Sequence, residues 1–99
     1  MPTISRFYGL VVFMNMLLHV KTVCCLRPYT LQVGFSDGTL REVDLSAELF
    51  GAVFEPLRDP DVFGQVRVNE ETNTIEWPNG ADFAPEFLHE VGRDVKRVA

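Results

Sequence analysis

The sequence predicts an α+β fold: a small, mostly antiparallel sheet of two hairpins plus an N-terminal strand, with two short helical segments on one face. Three observations predict it. Apolar and polar residues alternate in two pairs of short segments, each pair joined by a turn sequence. An apolar segment that begins with proline near the C terminus has helical spacing. The chain has 99 residues, of which 46% are hydrophobic, which suffices for one core and excludes a disordered chain.

The first hairpin joins two alternating segments, Tyr29–Phe35 and Thr39–Leu45. A two-residue turn between them would mix carboxylates into the apolar face. A three-residue loop with its glycine in the left-handed conformation instead places Leu31 opposite Val43, so that apolar residues face each other. We therefore predict the three-residue loop and a structural role for the turn pair Asp37-Gly38.

The segment that follows is predicted to form one or two irregular helical turns. Ser46 is placed to cap the first turn, and Gly51 and Pro56 weaken a longer helix. Apolar residues recur at helical spacing and are expected to form a buried stripe. They are Leu49, Phe50, Val53, Phe54 and Leu57.

The second hairpin is predicted from residues 65–69 and 74–77, joined by a four-residue loop. This loop length places Val68 opposite Ile75, and both belong to one apolar face. The turn pair Asn79-Gly80 then ends the strand and is assigned a structural role.

The last helix is predicted to begin at Pro85 and to stop at Gly92. Its expected buried residues are Phe87, Leu88 and Val91. The charged residues 93–99 are expected to form a frayed tail.

Three parts of the chain differ in composition: an apolar N-terminal extension (1–15), one α+β domain (16–92) and the charged tail (93–99). The apolar run Phe7–Val20 is shorter than the ~20 residues that span a bilayer. It fits either a signal peptide or buried strands, and we favour strands because no cleavage site follows. The adjacent Cys24 and Cys25 favour two reduced structural thiols in a cytoplasmic protein without a membrane partner.

The net charge of −5 is unevenly distributed along the chain. Residues 1–41 carry a net +3, and residues 42–99 carry a net −8. This balance argues against nucleic acid as a partner, since phosphate neutralisation needs basic residues. The acidic part either keeps the domain soluble or binds a basic partner protein.

No combination of residues predicts a catalytic centre, a metal site or a cofactor. Polar residues and one tryptophan could instead form a recognition edge, although turns, helix caps and core packing also account for them. These partner-binding candidates are Arg58, Asp59, Trp77, Asn79, Asp82, Glu86 and His89.

Several motifs resemble the family known as domain of unknown function 2442. The matching segments are RPYTLQVGFSDGTLREVDL, LFGAVFEPLRDPDVFGQVRV and TIEWPNGADFAPEFLHE, which together cover the chain from Leu18 to about Glu90. The resemblance implies no catalytic residues. Some relatives add a C-terminal helix-turn-helix, for which too few residues follow Gly92 here.

The opening nine residues, MPTISRFYG, resemble the start of a second family, domain of unknown function 4160. That family is often encoded beside the first, and the pair resembles a toxin and antitoxin. The resemblances imply a prokaryotic protein with a protein partner encoded by a neighbouring gene.

The sequence therefore favours a small non-catalytic protein-interaction domain, the antitoxin-like or regulatory member of a two-gene module. The alternative is a small-molecule-binding or enzymatic domain, which requires one pocket formed by Arg58, Asp59, Asn79, Asp82 and His89. A homodimer is also expected, because the apolar segment Phe7–Met14 has little to pack on within so small a domain.

Overall fold

Two antiparallel sheets form the framework of the protein in the computed structural model, which describes residues 18–95. The first sheet contains, in spatial order, β1 (Val20–Arg27), β2 (Thr30–Phe35), β3 (Leu40–Asp44) and β7 (Arg93–Asp94). The second contains β4 (Arg67–Asn69), β5 (Thr74–Glu76) and β6 (Asp82–Phe83). The helical segments are two 3₁₀ turns, Ser46–Glu48 and Glu55–Arg58, and two α-helices, α1 (Pro60–Phe63) and α2 (Pro85–Val91). The predicted α+β class is confirmed.

Both predicted hairpin registers are confirmed. Leu31 lies opposite Val43 in the β2–β3 hairpin, and Gly38 in its loop has a φ of +87°. Val68 lies opposite Ile75 in the β4–β5 hairpin. In both cases the apolar pairs select the register, because a shift by one residue would turn them away from the core.

The two hairpins belong to different sheets. Strand β7 covers the outer edge of β3, with Glu42 opposite Arg93. Strand β1 pairs with the other side of β2. The second hairpin pairs with β6, and it meets the first sheet where the Val20 amide donates to the Asn73 carbonyl at 2.9 Å.

Residues 45–64 form irregular turns, as the glycine and proline positions predict. Ser46 is not a helix cap: it lies inside the first 3₁₀ turn, and its amide donates to the Asp44 carboxylate at 2.9 Å. Asp59 is the side chain that caps a helix here, because it accepts the Asp61 amide of α1 at 2.9 Å.

Helix α2 ends before Gly92, as predicted, but its expected buried stripe is only partly correct. Leu88 is fully buried and Phe87 packs against the core, whereas Val91 is 46% exposed. Val91 is the last helical residue, beyond the part of the helix that the core covers.

The expected frayed tail begins instead with a short strand. Arg93 and Asp94 pair with β3, and the Val95 amide donates to the Leu40 carbonyl at 3.0 Å. The N-terminal extension, including the segment Phe7–Met14, and the last four residues lie outside the described residues.

The core fills the space between the sheets, the turns and α2. Aromatic rings pack in a row from the first sheet to α2, with neighbouring centroids 4.8–6.0 Å apart. Its members are Tyr29, Phe63, Trp77, Phe83, Phe54 and Phe87. This row connects the irregular segment to both sheets and so holds it in place.

Candidate protein-interaction surface

The partner-binding candidates lie on several different elements of the fold. Arg58 and Asp59 end the second 3₁₀ turn, and Asn79 lies in the β5–β6 connection. Asp82 lies on β6, and Glu86 and His89 lie on α2. Two of these residues, Arg58 and Asn79, hold the same loop.

Trp77 belongs to the core and cannot contact a partner. Its side chain is fully buried, and its indole N–H donates to the Phe63 carbonyl at 2.8 Å. Trp77 is therefore a core residue, as the alternative interpretation of this tryptophan expected.

Residues 49–54 form a loop, called here the 49–54 loop, whose ends are held by side chains from outside it. Arg58 Nε donates to the Leu49 carbonyl at 2.7 Å. Asn79 Nδ2 donates to the Val53 carbonyl at 2.9 Å, while its Oδ1 accepts the Ala81 amide at 3.0 Å. These contacts span 9 and 26 residues of sequence and fix the loop on the domain.

The 49–54 loop presents two apolar side chains to solvent. Phe50 is 64% exposed and Val53 is 50% exposed, whereas Leu49 is buried and Phe54 stacks on Phe83. The loop can reverse here because Gly51 has a φ of +90°. Buried Leu49 and half-buried Phe54 therefore anchor a short segment whose middle is apolar and exposed.

Sequence reasoning missed Phe50 and Val53 because helical spacing placed both in a buried stripe. The structure buries Leu49 and Leu57 of that stripe and exposes these two residues instead. The available signal was the glycine at position 51, which divides the stripe into two turns that cannot share one face.

Acidic residues surround the 49–54 loop along the chain. Glu48, Glu55, Asp59 and Asp61 lie within residues 46–63, against the single basic Arg58. Within residues 18–95 none of these five side chains takes part in an ion pair. Beside the loop, Tyr29, Ser46, Leu49 and Arg58 line a shallow cavity of about 170 Å³. This surface combines apolar anchors with uncompensated negative charge.

None of the four cavities described within residues 18–95 is lined by all five residues of the enzymatic alternative. Besides the cavity beside the loop, three surface cavities of about 310–340 Å³ are lined by other residues. Of the five residues, only Arg58 lines one of the four cavities. Within residues 18–95, no group of three or more His, Cys, Asp or Glu is arranged to hold a metal ion.

His89 joins α2 to the turn of the first hairpin. Its Nε2 lies 3.0 Å from an Asp37 carboxylate oxygen, and its ring packs edge-on against Phe35. Burial alone would raise the pKa of Asp37, but hydrogen bonds from Thr39 and His89 outweigh burial and lower it. Asp37 thus holds both its own turn and the helix.

A second charged cluster lies on the outer side of the first sheet. One oxygen of the Glu42 carboxylate accepts from Arg27 at 2.7 Å and from Arg93 at 2.9 Å. The hydrogen bonds from Arg93 and then Arg27 hold the pKa of Glu42 below its ordinary value of 4.5. The carboxylate therefore ties three strands together, β1, β3 and β7.

This geometry predicts the acid sensitivity of the fold. Because the pKa of Glu42 is lower in the folded chain, its ion pairs stabilise the fold near neutral pH. That stabilisation is lost as the pH falls through the folded-state pKa. We expect Glu42→Gln to lower the melting temperature at pH 7. We also expect the melting temperature of this variant to fall less steeply than that of the native chain below pH 4.5, the ordinary pKa of a glutamate.

Thermal denaturation followed by circular dichroism over a pH series measures this effect. Glu90→Gln is the matched control, since Glu90 is exposed and makes no ion pair within the described residues. If both variants parallel the native chain at every pH, Glu42 has no such role.

A family model described as "Protein of unknown function (DUF2442)" matches residues 20–92, which is most of the chain. The chain belongs to this family. The matched DUF2442 segment includes the 49–54 loop together with Arg58 and Asn79, which hold it. The comparisons with curated proteins and with solved structures gave no match. No helix among the described residues of this DUF2442 chain is long and apolar enough to cross a membrane.

Proposed function

We propose that this chain is a non-catalytic protein-interaction domain whose 49–54 loop binds a basic protein partner. The observation that carries the proposal is the exposure of Phe50 and Val53 on a loop held from both ends. Binding energy in interfaces concentrates in aromatic side chains that are fixed before binding, because little side-chain entropy is then lost.

The charge of the surface supports a basic partner. Residues 46–63 carry four acidic side chains against one arginine. Opposite charge around an apolar centre speeds encounter and disfavours acidic competitors. Phe50 and Val53 would supply the affinity, and the surrounding carboxylates would supply the selectivity.

We further propose that the domain acts as the antitoxin-like or regulatory member of a two-gene prokaryotic module in the cytoplasm. The support is the resemblance of the opening residues to a family that is often encoded beside this one. The mechanism is masking: the acidic surface covers a basic functional surface of the neighbouring gene's product.

Co-expression with the neighbouring gene tests the binding proposal. We expect the two products to co-purify, and Phe50→Ala to weaken the complex at least tenfold, which corresponds to about 1.4 kcal/mol. Calorimetric titration of the purified partners measures the affinity. Val91→Ala is the matched control, because Val91 is also exposed and apolar but lies on α2.

The outcomes separate the two parts of the proposal. Absence of a complex at micromolar concentration, or equal affinity of Phe50→Ala and the native chain, contradicts binding through the loop. A complex with a partner that does not impair growth when expressed alone contradicts the antitoxin-like role and leaves the binding proposal standing.

A further inference from the structure

Strand β1 is an edge strand that no described strand covers. It ends the order β1-β2-β3-β7 and is, with eight residues, the longest strand described. Only Val20 is buried, and its amide is already used by Asn73. The remaining residues, Lys21–Arg27, contain no proline, and within residues 18–95 one side of their backbone pairs with no strand.

We propose that β1 pairs antiparallel with β1 of a second copy of this chain, forming one continuous sheet across a two-fold axis. Such pairing satisfies the exposed backbone groups of both edges at once. The unpaired run Lys21–Arg27 has its midpoint at Cys24. The antiparallel register that pairs the most residues therefore places Cys24 of one copy opposite Cys24 of the other.

The side chains of the unpaired run are compatible with this self-pairing. Residues 22–26 carry no charge, and Thr22 lies opposite Leu26 of the second copy. The basic residues fall at the ends, where Lys21 lies opposite Arg27. Arg27 is also bound to Glu42 at 2.7 Å, which directs its guanidinium towards its own sheet.

The irregular positions of β1 lie on either side of Cys24. Register shifts against β2 occur between Val20 and Thr22 and between Cys25 and Arg27. The regularly paired run between them, residues 22–25, contains Cys24. Bulges often protect edge strands from pairing with another chain, but here a short run of regular strand remains between the irregular positions.

The two adjacent cysteines provide a sharp test of the register. Both thiols are free and exposed. Residues directly opposite in an antiparallel pair have Cα atoms about 4.5–5.5 Å apart, within reach of a disulfide. Cys25 would lie opposite Val23, and the two Cys25 residues would be diagonal neighbours about 7–8 Å apart, beyond easy bridging.

The experiment uses the full chain with single cysteines. Under reducing conditions light scattering is expected to give twice the monomer mass of 11.2 kDa. On addition of diamide, two thiols lose two protons and two electrons to the oxidant and form a disulfide. We expect Cys25→Ser, which keeps Cys24, to form a covalent dimer, and Cys24→Ser to form none.

A charge at the edge provides the second measurement. Leu26 is 39% exposed and has no partner residue on β2, so Leu26→Lys leaves the fold intact and adds like charge beside the axis. We expect this variant to be monomeric, and the control Val91→Lys to remain dimeric. The proposal is overturned if the native chain is monomeric, and this includes a monomer in which residues 1–17 of the same chain cover β1. Cross-linking through Cys25 alone, or equally through both thiols, also overturns it.

Discussion

Trp77→Ala is expected to remove most of the stability of the domain. Trp77 is fully buried, and its ring packs between Phe63 and Phe83. Truncation of a buried tryptophan costs about 3–5 kcal/mol, against about 5–15 kcal/mol for a whole domain. The Phe63 carbonyl would also lose its indole donor. The variant is therefore expected to unfold at a much lower urea concentration than the native chain.

Urea denaturation followed by circular dichroism measures the loss. Trp77→Phe separates packing from the hydrogen bond, because it keeps a ring but leaves the Phe63 carbonyl without its donor, at a cost of about 1–3 kcal/mol. Phe50→Ala is the matched control: it removes a ring that is 64% exposed and should cost within about 0.5 kcal/mol. Equal losses in Trp77→Ala and Phe50→Ala would contradict the assignment of the two rings to core and surface.

The hairpins could be predicted because their registers depend on neighbouring residues. Turning Leu31 away from Val43, or Val68 away from Ile75, would expose apolar side chains. The cost of exposing these side chains depends only on neighbouring residues, so the alternation of apolar and polar residues is enough to predict the register. The left-handed glycine at position 38 follows from the same choice of loop.

Strand β7 could not be predicted because neither of its residues shows a strand signal. Arg93 and Asp94 are charged and exposed, and their pairing depends on the distant β3. Arg41 reinforces it, with a nitrogen 3.3 Å from the Gly92 carbonyl and another 3.4 Å from Asp94. Such contacts between residues some fifty positions apart leave no periodic pattern in the sequence.

Two residues that the sequence names, Arg58 and Asn79, border the candidate site. Arg58 and Asn79 were expected to contact a partner, and the structure gives them backbone carbonyls of the 49–54 loop as partners. The exposed Phe50 and Val53 follow from where those two side chains hold the loop. Hydrophobic character alone could not distinguish them from core residues, since the decision depends on tertiary contacts.

Gly92→Ala is expected to separate the C-terminal strand from the first sheet. A Cβ at this position would lie 2.8 Å from the Leu88 carbonyl oxygen, 2.9 Å from Arg41 Cβ and 3.0 Å from Val43 Cγ2. The backbone angles, φ −74° and ψ 155°, suit alanine, so the cost is purely steric. Overpacking against backbone and core costs about 1–3 kcal/mol, and relief requires β7 to move away from β3.

Gly64→Ala is the matched control, since its nearest atom would be the Pro60 carbonyl oxygen at 3.5 Å. That substitution should be neutral or stabilise by about 0.4–1 kcal/mol through the unfolded chain. Urea denaturation compares the two variants, and amide exchange locates the change. In Gly92→Ala the Val95 amide, which donates to Leu40 at 3.0 Å, is expected to exchange faster, while amides of the β4–β5 hairpin keep their protection. If Gly92→Ala is as stable as Gly64→Ala, α2 and β3 do not approach as closely as these contacts require.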